Sequence, residues 1–111
     1  MKKSLVSSEN SFVQLMEHLD YPESGLSNQV VWHGAQCQYN LLCLAAQAKI
    51  PEHTSPQNAT VQVIEGTGEL TLNGQVIVLE PGVFIFMPAN APHALAAASN
   101  LAFLLTRSAV G

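Results

Sequence analysis

After residue 28 the chain breaks into eight short apolar runs separated by turn residues, with no helical spacing between them. The runs are 29–33, 37–46, 60–65, 68–72, 75–79, 83–87, 93–97 and 101–107. Val, Ile, Leu and Phe dominate them, and such branched or aromatic side chains suit a pleated surface. Leu72-Asn73-Gly74-Gln75 predicts a two-residue hairpin, because Asn and Gly both accept positive φ. Pro81-Gly82 predicts a type II turn: proline sets the first φ and glycine takes the positive second one. Short strands in series, without crossover helices, manage their edges as an antiparallel barrel or a two-sheet jelly roll. The expected fold class is therefore all-β.

The lead-in segment has a different period. Phe12, Leu15, Met16 and Leu19 recur at i, i+3, i+4 and i+7, which predicts a short amphipathic helix. Asn10 or Ser11 would cap its start, and Tyr21-Pro22-Glu23-Ser24-Gly25 would end it. His18 lies off the apolar stripe and is expected to face solvent. The chain thus divides into a helical lead-in, residues 1–28, and a single barrel domain, residues 29–111.

Composition narrows the partners. A chain of 111 residues forms one domain, yet 48% of it is apolar and only 11% charged. So few charges cannot cover a small monomer, so a homodimer that buries some apolar surface is expected. Net charge is −4, and the four bases are Lys2, Lys3, Lys49 and Arg107. They form no basic patch for a phosphate backbone, so nucleic acid is not expected as a partner. No apolar run has the length of a membrane span, and Lys2-Lys3 is followed by no signal-peptide core. A cytoplasmic protein is the expectation, with Cys37 and Cys43 as reduced, buried thiols.

Two histidines carry the chemistry. His53 lies in Pro51-Glu52-His53-Thr54-Ser55-Pro56, ahead of a strand-like run and Gly66-Thr67-Gly68. His93 closes the stretch from Pro81-Gly82 through Pro88, Asn90 and Pro92. This arrangement resembles the two motifs of the cupins, over roughly residues 29 to 107. Gly66 stands at the expected interval from His53, and Gly82, Pro88 and His93 fall at the intervals of the second motif. Asn90 occupies a glycine position, which it suits as a residue tolerant of left-handed backbone. Other positions depart from the pattern. The second histidine of the first motif falls on Ser55, its glutamate on Ala59 and its opening glycine on Gln47. The final asparagine of the second motif falls on Ala97.

The resemblance implies a double-stranded β-helix, or jelly roll, whose interior holds His53 and His93. It also implies a divalent metal on those two histidines (iron, manganese, nickel, copper or zinc). The carboxylates of Glu52, Glu65, Glu69 and Glu80 are read as facing away or lying at strand ends, so no third ligand is assigned. Other polar groups are candidates for the same cavity. Gln57 shares the parity of His53, Ser55 and Ala59. On the run 37–46, Cys37, Tyr39, Leu41 and Cys43 share one face and Gln38 and Asn40 the other, so the first is taken as inner. Tyr39 then joins His53, His93 and Gln57 as a ligand contact, and Cys43 is a further candidate. His33, beside Gly34, is read as a rim residue.

Three functions remain open. One is a binding module holding a small apolar or carboxylate-bearing ligand in its cavity. Another is a metal-dependent enzyme of dioxygenase or isomerase type acting on a small oxygenated substrate. A sensing domain detached from a regulator is the third.

Overall fold

A computed structural model describes residues 4–109. Its strands are β1 (Leu26–His33), β2 (Cys37–Leu44), β3 (Lys49–His53), β4 (Asn58–Glu65), β5 (Gly68–Leu72), β6 (Gln75–Leu79), β7 (Phe84–Met87), β8 (His93–Ala97) and β9 (Leu101–Ser108). Five of them form an antiparallel sheet in the order β1-β2-β9-β4-β7, and four form a second in the order β3-β8-β5-β6. The order shuffles sequence neighbours between two sheets, as a jelly roll does.

Strand alternation decides what lies between the sheets. Leu42 and Leu44 of β2, Val61 and Val63 of β4, and Leu101 and Phe103 of β9 point inward from the larger sheet. Leu70, Leu79, Leu95 and Ala97 meet them from the smaller one. Burying each large apolar side chain in this layer stabilises the fold by about 1.5–3 kcal/mol. The predicted turns are present. Asn73 and Gly74 have φ of 49° and 80°, and Gly82 has φ of 95° with Val83 N–H donating to the Glu80 carbonyl at 3.1 Å. Asn90 is left-handed at φ 68°. So is Gln47, at 73°, where the cupin motif has glycine. Its strain is offset by two donations, from its backbone N–H to Ala97 and from Nε2 to the Ala98 carbonyl.

One strand was not visible in the sequence. β3 contains Pro51, which removes a ladder donor and argues against a central strand. It sits at the edge of its sheet, and its register slips between Ile50 and His53, so the missing N–H disrupts nothing.

The expected N-terminal helix is corrected to a four-residue 3-10 turn, Leu15–His18. Short helices are marginal in water unless a face is packed. Here Leu15 and Leu19 pack, whereas Phe12 and Met16 of the same stripe stay 83% and 49% exposed. The rest of the segment is used against the sheet instead. Leu5 and Val6 donate to the carbonyls of Val30 and Val31, covering the edge strand β1. His18 is half-buried rather than exposed, and its carbonyl accepts a bond from Gln29 Nε2 at 2.6 Å.

The face taken as inner on β2 is also corrected. Leu41 and Cys43 point away from the barrel, into a second cluster with Ala102, Leu15, Leu19, Tyr21, Val31 and Ile64. Asn40 lies on the barrel side and is only 2% exposed, with its amide donating to Asn28 Oδ1 at 2.7 Å. The polar residues on this strand misled the assignment because both of its faces are covered. Hydrophobic alternation carries no direction in a strand buried on both sides.

Tyr21 fastens the lead-in segment to the sheet. Its hydroxyl donates to Glu65 Oε2 at 2.6 Å, which engages a carboxylate expected to face solvent. Burial first, then the Glu65 bond and charge, raise the phenol above its ordinary value of 10.0. A raised phenol favours folding fully below that ordinary value, and the contribution is lost as pH climbs through the folded one. Tyr21→Phe is expected to cost about 1–2 kcal/mol at neutral pH. It should also flatten the alkaline fall in stability, which urea titrations from pH 8 to 11 would measure. The same variant should speed alkylation of Cys43, whose thiol burial pushes upward.

Candidate functional site

The site grows from one register pair. β3 and β8 run antiparallel with His53 opposite His93, and the two rings meet edge-on with centroids 4.2 Å apart at 63°. Each imidazole is oriented by the backbone two residues earlier. His53 Nδ1 lies 2.9 Å from the Pro51 carbonyl, and His93 Nδ1 lies 3.0 Å from the Ala91 carbonyl. A carbonyl oxygen only accepts, so both Nδ1 atoms carry the proton and both Nε2 atoms keep a free lone pair.

Loops hold the pair at the open end of the barrel. The Asn90 amide donates to the Ser55 carbonyl at 2.7 Å, which joins the two histidine-bearing loops directly. Asn58 Oδ1 accepts from Ala89, and the Pro92 carbonyl accepts from Asn73 of the hairpin. The left-handed Asn90 makes the first of these contacts possible by turning the chain back toward β3.

A cavity of about 310 Å³ opens here, lined by His53, Ser55, Gln57, Ala59, His93 and Arg107 among others. A deeper chamber of about 140 Å³ adjoins it, walled by Leu42, Val61, Leu70, Leu95 and Phe103. His53, His93, Met87 and Leu105 line both, and so mark the boundary between a polar mouth and an apolar interior.

The sequence-predicted residues separate cleanly. His53, His93 and Gln57 come together in the mouth. Tyr39 does not: it shares the outward face of β2 with Leu41 and lies against Trp32, with ring centroids 6.3 Å apart. Cys43 is outside the barrel, beneath the lead-in segment. His33 is exposed at the end of β1. Arg107 was missed. Its signal was present, since Leu101, Phe103, Leu105 and Arg107 alternate along one strand and the first three face the core.

Ser55 and Ala59 both line the mouth. The positions that carry two metal ligands in the cupin motif therefore do face the cavity, but with a hydroxyl and a methyl. Among the described residues, no group of three or more His, Cys, Asp or Glu is placed to hold a metal ion. Two imidazoles fall short of the three protein ligands usual in open metal sites. Among the described residues no acidic side chain lines the mouth, whereas the guanidinium of Arg107 does, and a fixed cation opposes a second one. The donor set does not fit a resident divalent metal.

Comparison with known proteins agrees with the architecture. The chain is similar to a cupin superfamily protein from Desulfitobacterium hafniense, with TM-score 0.85, 17% identity, and coverage of 99% of this chain and 100% of that one. A conserved protein of unknown function from Streptococcus pyogenes is similar at TM-score 0.81 and 23% identity, covering 91% and 89%. A mutant salicylate 1,2-dioxygenase from Pseudoaminobacter salicylatoxidans is similar at TM-score 0.70 and 20% identity, over 76% of this chain but only 26% of that one. At these identities the likeness establishes the fold. Among curated protein sequences, none matches. A family model described as the cupin domain matches residues 40–106, more than half of the chain and both histidines. The protein belongs to the cupin family.

Proposed function

We propose that this cupin binds a small organic molecule at the mouth of its barrel, with His53, His93 and Gln57 as polar contacts. One observation carries the reading: both histidines have Nδ1 engaged by backbone and Nε2 without a partner among the described residues, at the junction of a polar and an apolar chamber. Pockets of this kind take up ligands by burying an apolar body and orienting it through a few convergent polar groups. Free Nε2 atoms accept hydrogen bonds from a hydroxyl or amide, and the Gln57 amide offers both donor and acceptor. Homodimerisation belongs to the same proposal. It is supported by the low charge and by Phe84 and Phe86, exposed on the edge strand β7. Sedimentation at a doubled chain mass is its check.

The test combines elemental analysis with thermal-shift screening of a small-molecule library, on untagged protein with and without chelator. A compound that raises the melting midpoint equally in both samples, and not in His53→Ala or His93→Ala, is the expected result. One metal per chain, lost in both variants and required for ligand binding, would sink it in favour of a metal-dependent enzyme.

A further inference from the structure

Resting on that reading of the cavity, we infer that its ligand is a small monoanion: a carboxylate on a short apolar body, with the charge paired to Arg107. Arg107 is directed inward by its position on β9, opposite Ala59 of β4 and Gln38 of β2. Its Nε is buried and has no hydrogen-bond partner among the described residues. The side chain as a whole is half-buried, and a guanidinium stays charged at any physiological pH, so its buried end lacks the hydrogen bonds that would offset the loss of water there. None of the described side chains lining the mouth is acidic. Arg107 and Gln57 also border a shallower recess of about 170 Å³ formed with residues 33–38, and that recess has no acid either. Among the described residues, the lining therefore offers Arg107 no neutralising partner on either side.

The chemistry of the missing partner follows from three features. A planar fork of N–H donors matches a carboxylate in two parallel bonds. One guanidinium, with no lysine in the lining, balances a single negative charge and not a phosphate dianion. The adjoining chamber is walled almost entirely by aliphatic side chains and Phe103, so the body attached to the carboxylate must be apolar. Its volume of about 140 Å³ limits that body to a ring or a short alkyl chain. His53 and His93, on the boundary, are placed to contact a polar substituent between head and tail.

The experiment is calorimetric titration of the full chain, treated with chelator, using benzoate and hexanoate beside their neutral counterparts benzamide and hexanamide. Each acid should bind at least ten-fold tighter than its amide. Arg107→Gln should bring that ratio close to one, and Arg107→Lys should retain part of it. Equal affinity for acid and amide, lost in His53→Ala, would overturn the anion assignment and leave the cavity reading standing. A preference for acid that survives Arg107→Gln would overturn the role of Arg107. Heat from none of the four probes at millimolar concentration would overturn both the assignment and the cavity reading. Circular dichroism monitors the variants, and if Arg107→Gln fails to fold, the acid-to-amide ratio of the native chain decides alone.

Discussion

Gly66→Ala is expected to cost at least about 4 kcal/mol, enough to leave most of the chain unfolded or insoluble. A Cβ at this position would stand 1.9 Å from the Asn100 carbonyl oxygen and 2.8 Å from the Leu101 Cα. Both are backbone atoms, so no rotamer change relieves the overlap. Gly66 also has φ of 93°, a region that L-residues avoid. The two effects can be separated. Gly74 has a comparable φ of 80°, but nothing lies within 4 Å of its would-be Cβ. Gly74→Ala should therefore show the conformational strain alone, about 1–2 kcal/mol. Urea midpoints for the two variants test the argument directly. Similar losses for both would mean that the β4–β5 turn yields to accommodate a methyl group. The close approach matters to the site because it seats β4 and β9 together, and these strands carry Ala59 and Arg107 into the mouth.

Phe103→Ala is expected to cost about 3–5 kcal/mol and to enlarge the inner chamber. Phe103 is 2% exposed, opposite Leu42 of β2 and Val63 of β4, near the middle of the five-stranded sheet. Paired strands on both sides hold the backbone in place, so little collapse can fill the space that the ring leaves. A domain of this size has roughly 5–15 kcal/mol in hand, so the variant should fold but melt early. Because Phe103 also walls the apolar chamber, a bulky apolar ligand should recover part of the lost stability. Thermal shifts with and without hexanoate would read both effects. An unchanged melting midpoint would mean that the ring is not a structural part of the chamber wall.

Much of this molecule was legible from residue order. Alternation and turn chemistry gave eight of the nine strands, together with the hairpin at Asn73-Gly74 and the left-handed Asn90. Histidine spacing identified the pair, and the parity of Gln57 led to the same cavity. Failures occurred where local pattern did not decide the outcome. The stripe through Phe12 and Met16 had helical spacing but found no surface to bury it, so only a single turn formed. On β2, four successive residues from Leu41 to Leu44 are all buried, so composition could not say which face was the barrel's. Tyr39 was assigned to the cavity on that account and lies outside it, beside Trp32.

The sequence by itself determined the local choices: which segments are extended, where the chain turns, and which two histidines carry the cupin spacing. Those depend on backbone preference and on a period of two, both of which act over a few residues. Only the tertiary structure decided which face of a doubly covered strand looks inward, whether the lead-in segment coils, and that Arg107 enters a mouth lined by no acidic side chain among the described residues. Each of these depends on what an element meets across the molecule. A strand's free energy of burial is the same whichever neighbour covers it, so the choice is made when the sheets close.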